Sequence, residues 1–160
     1  MTRRQAFGAL LTSFDLEALA RLPDTIYGVD ADLRLAMFNP AWFAFAAANG
    51  GLPDVARDWG LGRSVLDACP SVVRDFYARS LAAALRLDRH RDHEYECSSP
   101  GVRRRMRMSA YPLRDGAGLL VVNALIIETP RATAALTSHD LCDICLDFYY
   151  PAPVEPPVAG

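Results

Sequence analysis

Residues 139–148 read HDLCDICLDF and hold a dense set of reactive side chains. Two thiolates at the spacing of Cys142 and Cys145 can bind one tetrahedral metal, because a tight turn brings the sulfurs together. A structural zinc site takes four ligands. His139 is a candidate third, and either Cys97 folding back or a second CxxC from another copy would complete the set. The same pair can form a redox disulfide, although thioredoxin-like motifs open a helix after a strand and no such pattern surrounds this one. Leu146 follows Cys145, so the CxxCH motif of covalent c-type haem is not formed. A lone CxxC is unspecific, and incidental cysteines, a metal site and a redox pair all stay open.

A second group of polar side chains falls within alternating, strand-like segments. His93 is either a polar residue at a strand start or a ligand aimed inward. Arg104 falls on the inward face of its segment, where it either extends past the sheet edge or receives an anion. Met106 and Met108 have strand spacing, which fits core packing. Asn123 interrupts an apolar run, and a buried amide needs partners, from neighbours or from a pocket. The run Arg103-Arg104-Arg105-x-Arg107 alternates across a strand with glutamates opposite, which argues against a nucleic-acid surface. The sequence has no phosphate loop, kinase motif, HExxH or nucleophile elbow, so a non-catalytic protein is expected.

These groups need a scaffold, and the apolar spacing supplies one. Phe7, Leu10, Leu11 and Phe14 form a helical stripe, and Asp15 caps a second short helix that Pro23 stops. The stripe packs on the chain's own core or on a second copy. Residues 25–30 and 33–38 are β-rich runs around Asp30-Ala31-Asp32, a hairpin. Asn39 caps a helix with Pro40 at its first position, carrying Trp42, Phe43 and Phe45 and ended by Asn49-Gly50-Gly51. Residues 52–70 are expected to be irregular with short helical turns. Ser71 is expected to cap a helix to about Arg86, with Val73, Tyr77, Leu81, Ala84 and Leu85 buried. Residues 87–92 form a charged connector.

Three strands follow. Residues 93–97 pair with 102–113 across Ser98-Ser99-Pro100-Gly101, a register that sets Cys97 against Val102, Glu96 against Arg103 and Glu94 against Arg105. Residues 119–128 are apolar on both faces, as in a central strand covered on both sides. Leu119, Val121, Leu125 and Ile127 share one face of strict alternation. Proline-rich residues 151–160, PAPVEPPVAG, are expected to lack fixed structure.

Hairpin, helices, long helix and three antiparallel strands, in this order, resemble a PAS domain. The resemblance runs from about Leu22 to Glu128. It rests on Asp30, the Asn39-Pro40-Ala41 helix start, Gly62-Arg63-Ser64 before the long helix, and the closing strand LLVVNALIIE. It implies an α+β fold, a five-stranded antiparallel sheet with helices on one face. Residues 1–21 would form an N-terminal helical cap or dimerisation segment, 22–129 the domain, and 130–160 a tail. One departure is Leu33, where the family often has glycine.

The resemblance also implies a sensory or dimerisation module with a cavity that holds haem, flavin, a metabolite or nothing. Candidate cavity residues are Trp42, Phe43, Tyr77, His93, Tyr95, Arg104, Met106 and Asn123. Flavin photoreceptor members place a reactive cysteine two residues after the arginine matching Arg63; Val65 stands there, so a flavin adduct is not expected. Cys69 lies near the chromophore cysteine of the yellow photoreceptors, but Phe38 and Trp42 replace the polar groups that hold a phenolate. Haem members often use a histidine on the long helix, and residues 71–86 contain none. Haem is therefore not expected either. CxxC segments follow some PAS domains, and this one lacks the basic residues that usually come next.

Size and composition fit this picture. The 160 residues suit one domain with a real core. A net charge of -2 and a pI near 5.9 do not favour a polyanion partner. The longest apolar run, 119–127, is too short to span a bilayer. The arginines at the N-terminus are not followed by a cleavage-like site, and few cysteines fit a reducing compartment, so a cytoplasmic protein is expected. The reading is a stand-alone sensor, homodimeric, that binds a small ligand or a signalling partner in trans, without nucleic acid or membrane. The alternatives are a metal or thiol-redox protein acting through the CxxC, and a structural dimerisation module.

Overall fold

The computed structural model describes residues 3–49, 57, 60–99, 101–130 and 149–153. Cys142, Cys145 and His139 lie outside the described residues, as do Gly50-Gly51 and residues 154–160. Residues 151–153 of the proline-rich segment are described, and they are exposed and without regular structure.

Among the described residues the main elements run in the order α1 (Arg3–Leu10), α2 (Leu16–Arg21), β1 (Thr25–Asp30), β2 (Leu35–Phe38), α3 (Pro40–Ala48), a 3-10 turn (Val65–Ala68), α4 (Ser71–Leu87), β3 (Arg91–Glu96), β4 (Val102–Pro112) and β5 (Gly118–Pro130). A short 3-10 turn, Arg114–Gly116, joins the last two strands. The strands form one antiparallel sheet in the order β2-β1-β5-β4-β3. The largely apolar strand β5 is central, as its sequence predicts. Sequence neighbours pair where turns are short, and β1 closes onto β5 across the longest separation.

Two apolar layers sandwich the sheet. On the inner face, Val29, Leu35, Met108, Leu119 and Val121 pack with Val65, Leu81 and Ala84 of the 3-10 turn and α4. On the outer face, Phe7 and Leu11 cover Ile26, Ala36, Leu113 and Leu120. The N-terminal stripe therefore packs on this chain's own sheet. It is shorter than its spacing predicts: α1 stops at Leu10, and Phe14 is exposed.

Local chemistry fixes the joints. Asp15 accepts from the Ala18 N–H and starts α2. Asp30 accepts from the N–H groups of Asp32 and Arg34, which curls the hairpin turn. Leu33 closes that turn with φ of 57°, the left-handed region that glycine adopts freely, and β2 begins only at Leu35. Gly62-Arg63-Ser64 lies along the free edge of β2. Leu35 N–H donates to Arg63 O, Gly62 N–H to Leu35 O and Val65 N–H to Leu33 O. Gly62 has φ of +89°, which explains a glycine there.

Five expectations change in detail. Ser71 is the first residue of α4, not its cap; Pro70 takes the cap position without a side-chain bond. Strand β3 begins at Arg91, because Asp88 in the left-handed conformation ends α4 and shortens the connector. The β3–β4 register is two residues from the one expected: Glu94 opposes Arg107 and Glu96 opposes Arg105. The hairpin closes tightly between Ser99 and Val102, around Gly101 with φ of +81°, rather than through a four-residue loop. A shift of two keeps each residue on its face. The expected ion pairs thus survive as diagonals, Arg103 to Glu96 at 3.2 Å and Arg105 to Glu94 at 2.7 Å. Finally, β5 is covered on both faces only as far as Asn123; Leu125, Ile126 and Ile127 are about half exposed. A bulge sets Met106 against Leu125 and Arg105 against Ile127, so Ile126 is the extra residue and Ile127 moves to the outer face.

Candidate functional site

Between the inner face and the helices lies a half-open cavity of about 540 Å³. Four groups of residues build it. Thr25 and Tyr27 of β1, with Met108 and Asn123 of β4 and β5, form the floor. Phe38, Trp42 and Phe45 form one side. Cys69, Val73, Tyr77 and Leu81 form the other, and Tyr95, Cys97 and Tyr150 lie at the far end. The volume is within the range of small-molecule sites.

Each wall is placed by a local cause. Asn39 Oδ1 accepts from the N–H groups of Trp42 and Ile26 at 3.1 and 2.9 Å, while Nδ2 donates to Leu19 O and Asp24 O. This one buried side chain starts α3 and ties it to β1 and α2, which sets Trp42 over Phe38 with ring centroids 4.2 Å apart. Arg74 donates to Leu66 O and Cys69 O, clasping the 3-10 turn to α4. Burial raises the Cys69 thiol to about 11. It also pushes the Tyr27, Tyr77 and Tyr95 hydroxyls above their usual range. The surroundings are those of a low-dielectric pocket that disfavours charge.

Two hydroxyl contacts stand out. Tyr95 Oη donates to Asn123 Oδ1 at 2.9 Å on the floor. Tyr77 and Tyr150 share a hydroxyl–hydroxyl bond of 3.2 Å. Tyr150 also meets the rings of Phe76, Tyr77 and His93. Tyr150 thus packs on the domain and adds a wall that sequence reasoning did not assign. The signal was the aromatic pair Tyr149-Tyr150, where a basic segment was the family expectation.

Of the residues singled out from sequence, Trp42, Tyr77, Tyr95 and Asn123 are brought together on the cavity wall. Phe43 faces a separate groove beneath α1 and α2, lined by Phe7, Leu11, Leu19 and Met37. Trp42 and Phe38 line both spaces, and Phe43, its ring 5.1 Å from that of Trp42, lines only the groove. Met106 is buried as sheet core. His93 packs among Phe76, Tyr77, Tyr95 and Tyr150, and its Nε2 is buried without a partner. Burial lowers its pKa to about 4, against the opposing charge of Glu94. Arg104 pairs with Glu128 at 2.7 Å, bonds Asn49 and Ser99 and lies over Phe45. The Arg107 and Arg105 guanidiniums both bond Glu94 on the outer face and hold its carboxyl below the usual range. Among the described residues, no group of three His, Cys, Asp or Glu side chains converges on a metal position.

A family model described as "PAS fold" matches residues 19–129. The chain belongs to the PAS family. PAS domains are, in general, sensory signalling modules. Among solved structures, the PAS domain from Bordetella pertussis BvgS is 20% identical, with a TM-score of 0.50, covering 73% of this chain and 88% of that one. A domain of the sensory box sensor histidine kinase/response regulator from Geobacter sulfurreducens is 22% identical (TM-score 0.48; 72% and 96% covered). The PAS domain of an HTR-like protein from Haloarcula marismortui is 21% identical (TM-score 0.45; 78% and 100% covered). At these identities the likeness to the BvgS domain speaks for the fold alone. Among curated proteins nothing matches the chain. No helix among the described residues is long and apolar enough to cross a membrane.

Proposed function

We propose that this PAS domain is a non-catalytic sensor that binds a small molecule between α3, α4 and the inner face of the sheet. One observation carries the reading. A cavity of about 540 Å³ reaches the central strand and meets there a hydrogen-bonded polar pair, Tyr95 and Asn123. Packed interiors hold few voids larger than a water molecule, so a space of this size is ligand-sized. Asn123 also lies on β5, whose far end presents Leu125, Ile126 and Ile127 half exposed. A change at the floor therefore has a direct mechanical path to an apolar surface. We take that surface to be where a second copy docks, making the sensor a homodimer that signals to a partner in trans.

Native mass spectrometry of freshly purified protein tests both parts. The expected spectrum is a dimer carrying a small-molecule mass that disappears under denaturing conditions. A bare monomer that no small-molecule library stabilises against heat would overturn the reading.

A further inference from the structure

The polar side chains on the described cavity wall are uncharged apart from Glu96. The Glu96 carboxylate is already engaged by the Ser98 hydroxyl at 2.8 Å and by Arg103 at 3.2 Å. The Arg104 guanidinium, on the inner side of β4, is held by Glu128, Asn49 and Ser99. A charged ligand would lose its hydration here and gain no counter-charge in return. The aromatic content of the wall is high and distributed around it. Phe38, Trp42 and Phe45 come from β2 and α3, while Tyr77, Tyr95 and Tyr150 come from α4, β3 and the C-terminal segment. Such rings offer faces and edges to a third ring, with a gain beyond simple burial.

Asn123 adds direction. It is only 8% exposed, and its Oδ1 takes the Tyr95 hydroxyl. Its Nδ2 has no partner among the described residues. Among the described residues His93 Nε2 is the one fully enclosed side-chain atom without a partner, so the Asn123 Nδ2–H is not closed off and stays open to an acceptor. An acceptor on a bound molecule would satisfy it.

We propose that the cavity takes an uncharged aromatic molecule whose hydrogen-bond acceptor receives the free Nδ2–H of Asn123. This rests on the reading of the cavity as a ligand site. Three probes of one ring size separate the requirements: 2-acetylnaphthalene, naphthalene and 2-naphthoate. Calorimetry on the full chain should rank 2-acetylnaphthalene about fivefold tighter than naphthalene, the worth of one net hydrogen bond. It should bind at least about tenfold tighter than 2-naphthoate. Asn123→Leu should abolish the difference between the two neutral probes while keeping naphthalene binding. Should that variant not fold, the Asn123 side-chain amide resonances of the unmodified protein carry the same test. They should shift with 2-acetylnaphthalene and not with naphthalene. Equal binding of the neutral pair, or preference for 2-naphthoate, overturns the ligand class while leaving the cavity as a site. If none of the three binds but native spectra show a retained mass, the class again falls and the site stands. With no retained mass either, the site falls as well.

Discussion

Asn39 joins three elements with one side chain, and the cavity depends on it. Its Oδ1 caps α3 and also takes the Ile26 N–H of β1, while its amide nitrogen holds α2 through Leu19 O. Asn39→Ala should destabilise the domain by about 2–4 kcal/mol in urea unfolding, the sum of a lost cap and orphaned buried groups. The cap was legible from Asn-Pro at the end of a β-rich run. The ties to residues 19 and 26 were not, because they depend on tertiary placement. His93 shows the converse case. Its strand and inward face follow from alternation, but its aromatic enclosure depends on α4 and Tyr150. Because its folded pKa is about 4 and the free side chain titrates near 6.5, the unfolded chain binds a proton that the fold refuses. The stability that neutral His93 contributes is therefore fully present above about pH 6.5 and is lost as pH drops toward about 4. His93→Phe should show a smaller loss of Tm than the parent between about pH 7 and about pH 4.5. Other titrating groups are common to both proteins and cancel.

At the scale of elements, α1 is seated by what β1 and β5 lack. A Cβ on Gly28 would collide with the ring of Phe7, and a Cβ on Gly118 would press on the same ring and on Val29 O. The aromatic ring lies where two adjacent strands present glycine. Gly28→Ala should expel Phe7 and uncover the outer face, costing about 2 kcal/mol by the magnitude of overpacked sites. Faster amide exchange in residues 3–11 and in β1 would report it; unchanged exchange would show that α1 is seated otherwise. The stripe of Phe7, Leu10 and Leu11 was visible in sequence, but its partner was not, since a stripe does not identify what covers it. The β3–β4 register was legible only modulo two residues. Charge pairing fixed the face, and the tight turn at Gly101 decided the register. Leu33 was marked in sequence as a departure from glycine, and the chain meets the turn's demand by placing leucine at φ of 57°. Leu33→Val should lower the Tm, because a β-branched residue tolerates that conformation poorly.

For the whole molecule, the individual strands, the central one among them and the helix order were readable from periodicity and punctuation, while their union in one five-stranded sheet was implied by the PAS resemblance. What was not readable is where coverage of β5 stops. Continuous apolarity suggests burial along its full length, yet the two covering layers reach only to Asn123. The half-exposed Leu125, Ile126 and Ile127 are the surface on which the proposed dimer rests. Ile127→Asp should convert dimer to monomer in light scattering while changing monomer stability by no more than about 0.5 kcal/mol, as for other exposed positions. The cavity itself was foreshadowed by Trp42, Tyr77, Tyr95 and Asn123. Its last wall, Tyr150, comes from more than fifty residues beyond Tyr95, and no local pattern announces a contact at that distance.

The most direct test fills the space. Ala46 lies on the cavity wall, and Ala46→Trp would place an indole where a ligand is proposed to sit. Calorimetric titration of 2-acetylnaphthalene into both proteins, each checked for a native circular dichroism spectrum, should give one site per chain in the parent and none in the variant. Equal binding to both would contradict the cavity as the sensory site.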